Sequence, residues 1–168
     1  ASEASIASDG LASCGAQGNE ALKADEYQQA AVFYTEALTL DGSKAPMLYS
    51  NRAECFLSLD GPPEPTRTRS SASLSAPLIA PLIASLIRYA QAREDALECI
   101  RLEPKFAEGH FQLAIALQAE EDPAGACAAF TKALALEPGN KVVAAGIFRM
   151  WRVCKPSVML AVQRSHAS

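Results

Sequence analysis

Residues 18–41 read GNEALKADEYQQAAVFYTEALTLD, and the placing of small and aromatic residues in this stretch decides the fold. Gly18, Ala30, Tyr34 and Ala37 have counterparts at matching offsets in Ala53, Ala92, Ala96, Cys99 and Pro104, and again in Ala114, Ala126, Phe130, Ala133 and Pro138. The period is about 34 residues, the length of one helix–turn–helix unit in a stacked array. Small residues at these offsets let two short antiparallel helices approach closely, while the aromatic of the second helix fills the gap between neighbouring pairs. The expectation is an all-α solenoid of helical hairpins, with three repeats and a C-terminal capping helix.

Composition agrees with such a core. The chain has 168 residues, 49% of them apolar and only 7% aromatic, which suits one domain whose helices pack through alanine. A net charge of −4 with interspersed signs gives no broad basic field, so nucleic acid is excluded as a main partner and membrane is disfavoured. The five cysteines (14, 55, 99, 127 and 154) form no CxxC pair, which points to reduced thiols in the cytosol or nucleus. His110 and His166 have no second ligand at metal spacing, so no metal and no cofactor is expected. The chain contains no GxxxxGK[ST], HExxH or GxSxG, and Glu36, Glu54, Glu94, Asp95 and Glu98 read as ordinary solvated helix faces, so it is not expected to be an enzyme. Its start at Ala1 without a methionine reads as a fragment or a processed product.

Along the chain, residues 1–10 are expected to fray. The domain then covers 11–153. Repeat one spans 11–44, with helices from Leu11 to Ala24 and from Glu26 to Leu40. Repeat two spans 46–106, repeat three 107–140 and the capping helix 141–153, with 154–168 as a tail. Asp122 is a candidate N-cap followed by Pro123 in a first turn.

Repeat two is interrupted. Joining Asp60 directly to Arg88 restores the spacing of the other repeats, so residues 61–87 are an insertion inside a turn. Its first half, GPPEPTRTRSSAS, disfavours regular structure. Its second half, LSAPLIAPLIASLI, can prolong the following helix backwards, although Pro77 and Pro81 oppose this. Three readings stand side by side: a membrane anchor, which falls short of the roughly 20 residues that span a bilayer; a partner-binding helix, since exposed apolar stripes mark contacts; and an in-frame insertion such as a retained intron, which is preferred because the repeat closes without it.

The repeated pattern is the signature of the tetratricopeptide (TPR) family. Two passages, GNEALKADEYQQAAVFYTEALTLD at 18–41 and LYSNRAECFLSL at 48–59, resemble the TPR domains of heat-shock co-chaperones of the Hsp-organizing protein, protein phosphatase 5 and small glutamine-rich TPR type. The resemblance covers 11–60 and 88–151. It implies a concave groove lined by the first helices of the repeats, where a lysine, two asparagines, a second lysine and an arginine clamp the carboxylates of an acidic chaperone tail. Residue by residue, the two asparagines match Asn19 and Asn51, but the three cationic places hold Gly15, Glu108 and Gln112. Other groove positions implied by the repeat are Leu22, Lys23, Met47, Ser50, Glu54, Phe111 and Ile115, while Arg52 belongs to an Asn-Arg pair that braces helices.

The resemblance therefore implies a cytoplasmic, non-catalytic adaptor for a peptide or protein segment. A heat-shock chaperone tail would meet a weakened clamp. The alternative is the targeting module of a larger enzyme, a phosphatase or prolyl isomerase, whose catalytic domain lies outside this chain.

Overall fold

The computed structural model describes residues 3–41, 45–59 and 76–146. Helix α1 runs Glu3–Lys23, α2 Tyr27–Asp41, α3 Pro46–Ser58, α4 Ala76–Leu102, α5 Ala107–Ala119 and α6 Pro123–Leu136. A further helical segment, α7, occupies 141–146. Each odd-numbered helix up to α5 packs on the next to form a hairpin, and α3 also packs on α5, so the first helices of the second and third hairpins lie side by side.

Two of the hairpin turns use the same device. Asp25 and Glu121 adopt left-handed φ values of 59° and 64°. The next residue then reaches back across the helix end: the Glu26 N–H donates to the Ala21 carbonyl at 2.9 Å, and the Asp122 N–H to that of Leu117 at 2.9 Å. Orphan carbonyls at both helix ends are thereby satisfied. Asp122 then caps α6, its carboxylate accepting from the Gly125 N–H at 3.0 Å, and Pro123 takes the first turn where a missing N–H costs nothing.

The core is a run of clusters, each completed by the hairpin that follows. Ala21, Ala30, Ala31 and Tyr34 of the first hairpin enclose Cys55 of α3. Ala53, Leu57 and Ala92 of the second enclose Ala116 of α5, and Ala114, Ala126, Cys127, Ala129, Phe130 and Ala133 of the third are closed by Val143 of α7. Alanine brings little transfer energy, so the large contributions come from the fully buried rings of Tyr34 and Phe130, each about 2–3 kcal/mol. Bare backbone makes room for both rings. A methyl group at Gly18 would sit 2.7 Å from the Tyr34 ring, and one at Gly146 would sit 2.7 Å from that of Phe130.

The hairpins are also tied by charge. Arg52 of α3 donates from Nε to Asp95 Oδ2 at 2.8 Å and from Nη2 to Oδ1 at 2.7 Å, and its Nη1 reaches Thr35 Oγ1 on α2 at 3.1 Å. One guanidinium thus holds three helices from two hairpins.

Three expectations need correcting. The helix begins at Glu3 rather than Leu11: no proline interrupts residues 3–10, and one glycine costs a helix only about 1 kcal/mol relative to alanine. Asp95 is no solvated carboxylate, being 6% exposed and paired to Arg52, because it stands between the buried Ala92 and Ala96 on the packed side of α4. Glu54 is likewise half-buried. Within the insertion, residues 61–75 lie outside the described residues, whereas 76–87 belong to α4, a helix of 27 residues. Pro77 falls in its first turn, where it is tolerated; Pro81, one turn further, removes one helical hydrogen bond without ending the helix. This added part leaves Ile83, Leu86 and Ile87 exposed. Residues 147–153 of the expected capping helix and the tail 154–168 lie outside the described residues.

Replacing Gly18 by alanine sets the helix-propensity gain of about 1 kcal/mol against overpacking of about 1–3 kcal/mol on a buried ring. We expect a net loss, read as a lowered Tm for Gly18→Ala. Asp95→Ala leaves Arg52 without its carboxylate and should cost about 3 kcal/mol or more in urea unfolding; an unchanged midpoint would refute the role assigned to the pair.

Candidate functional site

The first helices α1, α3 and α5 share a face: α3 packs on α5, and Asn51 of α3 bonds Asn19 of α1. At its start, Tyr34 reaches from α2, with its ring against Gly18, and its hydroxyl donates to Asn19 Oδ1 at 2.7 Å. Asn51 Nδ2 donates to the same Asn19 oxygen at 3.1 Å and lies 3.2 Å from the Tyr34 oxygen. The two asparagines are therefore brought together across α1 and α3 and fixed by a third residue. After these bonds, the Asn19 amide nitrogen and the Asn51 amide oxygen carry no partner among the described residues, and Asn19 is exposed.

Next along the face come carboxylates rather than cations. Glu54 of α3 has no hydrogen-bond or ion-pair partner among the described residues, and burial pushes its carboxyl pKa up. Glu108 opens α5 and accepts from Gln112 Nε2 at 2.8 Å. Burial raises the Glu108 pKa and the nearby Glu54 charge adds to the rise, while the Gln112 bond partly offsets both. Gln112 itself is 3% exposed, so it serves Glu108 from beneath. Ser50, one turn before Glu54 on α3, is 1% exposed, and its hydroxyl finds no partner among the described residues.

The remaining candidates divide. Met47 is 59% exposed at the start of α3, and Lys23 is exposed at the end of α1. Leu22, Phe111 and Ile115 are partly buried against the core clusters. Phe111 meets the Phe130 ring edge-on at 5.9 Å, so much of its surface serves the α5–α6 contact. No hydrogen bond or ion pair joins Lys23 to the asparagines among the described residues. A depression of about 360 Å³ on α1 and α2, lined by Gln17, Glu20, Ala21, Ala24, Glu26, Gln29 and Phe33, contains none of these candidates.

Tyr34 was read from sequence as a core residue only, and its second task escaped notice. The signal available was its spacing: the aromatic position of the second helix faces the glycine beside Asn19. Arg52 braces helices as the resemblance implied, now with Asp95 as its named partner.

Residues 107–140 match the family model of the tetratricopeptide repeat. A solved Arabidopsis OM64 TPR domain superposes with a TM-score of 0.65 at 25% identity, covering 84% of this chain and 94% of that one. The chain folds as a tetratricopeptide-repeat domain. Another TPR structure, the first TPR of Spaghetti (RPAP3) bound to HSP90 peptide SRMEEVD, superposes with a TM-score of 0.66 at 18% identity over 86% of this chain and 93% of that one, a likeness in fold. Among curated proteins, the Hsp70-Hsp90 organizing protein of Triticum aestivum is 33% identical over 132 residues, which is 79% of this chain and 18% of that protein. This TPR domain thus spans about a fifth of the length of such relatives.

Its site holds no chemistry of the nucleophilic or metal kind among the described residues. No group of three or more metal-ligating side chains is found there. Burial pushes the Cys55 thiol up to about 12 and that of Cys99 up to about 11, leaving both protonated and inert at neutral pH. His110 is 6% exposed, with Nε2 3.0 Å from the Pro104 carbonyl oxygen, a satisfied core histidine. No helix among the described residues is long and apolar enough to cross a membrane.

The two carboxylates set a pH dependence. Their pKa values are raised in the folded TPR domain, so the native state holds these protons more tightly than the unfolded chain does, and stability falls as pH rises through the carboxylate range. Glu54→Gln with Glu108→Gln should raise Tm at pH 7, and the gain should vanish once the pH falls below the ordinary glutamate pKa. A Tm difference that is constant from pH 3 to pH 8 would contradict this.

Proposed function

We propose that this chain is a non-catalytic, cytoplasmic protein-interaction adaptor that holds a peptide or protein segment on the face shared by α1, α3 and α5. The observation that carries the reading is the Asn19–Tyr34–Asn51 network. Fixing two exposed or half-exposed amides costs conformational entropy, and preorganised amides recognise a peptide without paying that cost at binding. The TPR fold and its likeness to co-chaperone domains support the same role.

In this reading the carboxylate clamp is degraded. Lysine and arginine at the three cationic places would each give a charge-assisted hydrogen bond of about 1.5–3 kcal/mol. Gly15 offers no side chain, Gln112 is turned to Glu108, and Glu108 opposes an acidic tail outright. Asn19, Asn51 and Lys23 are left to hold a terminal carboxylate, with Met47 as an exposed apolar anchor and the partly buried Leu22, Phe111 and Ile115 at the margin.

Calorimetric titration with the peptide SRMEEVD, with its C-terminus free or amidated, tests this. We expect weak binding of the free acid that amidation abolishes, and a loss of at least about tenfold in the double variant Asn19→Ala, Asn51→Ala. Equal affinity of the variant and the parent would remove the two asparagines from the site.

A further inference from the structure

Three groups on the central face lack a cation or a hydrogen-bond partner among the described residues. The Glu54 carboxylate is half-buried and unpartnered among the described residues. Glu108 stands close enough for the two charges to oppose each other, and its one bond is to the neutral Gln112 amide rather than to a cation. Ser50 is 1% exposed, and its hydroxyl is without a partner among the described residues. Ser50 lies four residues before Glu54, one turn away on the same side of α3. Elsewhere in the chain partly buried carboxylates are paired: Asp95 with Arg52 at 2.7 Å, and Glu120 with Arg93 at 3.0 Å. Among the described residues, the carboxylates that are at least partly buried and have no cation are Glu54 of α3 and Glu108 of α5.

We propose that this face receives a lysine or arginine side chain of an extended partner segment, seated between Glu54 and Glu108, while the Asn19 and Asn51 amides bond the segment's backbone. The inference rests on the adaptor reading above and specifies the charge of its ligand. A cation there relieves the repulsion between the two carboxylates and supplies the hydrogen-bond donors that Glu54 lacks, which an acidic tail cannot do. Gln112 fits the same arrangement, because holding one oxygen of Glu108 fixes the carboxylate while leaving the other free to accept. Met47, exposed one turn before Ser50, offers an apolar rest for the methylenes of the incoming side chain.

Three acetylated and amidated heptapeptides of one design separate charge from backbone: Gly-Ser-Lys-Met-Lys-Ser-Gly, the same with glutamine for both lysines, and the same with glutamate. Titrated into the whole chain at low salt, the lysine peptide should bind at least about tenfold more tightly than the glutamine peptide, with the glutamate peptide weakest. Glu54→Gln with Glu108→Gln should abolish the lysine advantage, bringing the lysine and glutamine peptides to equal affinity. A lysine peptide no tighter than the glutamine one, with either of them binding, overturns the charge inference and leaves the adaptor role standing. Absence of binding by all three to a chain that shows a cooperative helical melt overturns the charge inference, while the adaptor reading stands or falls with the SRMEEVD titration.

Discussion

Tyr34 joins the packing of this domain to its proposed recognition face. Its ring lies on the bare backbone of Gly18, and its hydroxyl gathers Asn19 and Asn51. The close approach of α1 and α2 and the placing of the two amides are consequences of one side chain held fully out of solvent. A phenolic oxygen buried without partners would cost a few kcal/mol, so the asparagines are as necessary to the tyrosine as the tyrosine is to them. The core and the proposed binding face are therefore not separable layers here.

The second constraint is the relay of clusters from hairpin to hairpin. Cys55 completes the first, Ala116 the second and Val143 the third, so no hairpin closes its own core. Nearest-neighbour dependence of this kind is what gives helical repeat arrays their cooperativity. Arg52 adds a polar strut to the same joint, bridging α2, α3 and α4 through Thr35 and Asp95. A buried pair of this geometry adds little net stability over an apolar replacement, but it fixes the register of the helices it joins.

Much of this was legible in the chain itself, for physical reasons. Asp122 and Pro123 announce the start of α6 because each supplies a local solution to an unsatisfied helix end, and the small-residue spacing marks the packed sides. Asp95 reads in sequence as a solvated carboxylate and Tyr34 as a core ring alone, because a bond to a partner distant in the chain leaves no local sign. The start of α1 was misplaced because a serine- and alanine-rich stretch with one glycine is compatible with either state, and local sequence does not decide between them. For the groove, position within the repeat shows which residues share a face; it does not show that Glu54 lacks a cation or that Gln112 is occupied by Glu108, because both depend on how neighbouring helices settle.

Residues 76–87 lengthen α4 at its N-terminal end, where Ala80, Pro81, Ile83, Leu86 and Ile87 are exposed. Additional turns there lift the chain about 18 Å along the axis at 1.5 Å per residue while the phase of every buried residue from Ala92 onwards stays as it was. A change of length at this point is thus a sliding of the entry point and not a frame shift in the core. Such a junction can absorb segments of arbitrary length and origin during descent, giving evolution a place to try new surface without refolding what lies beneath.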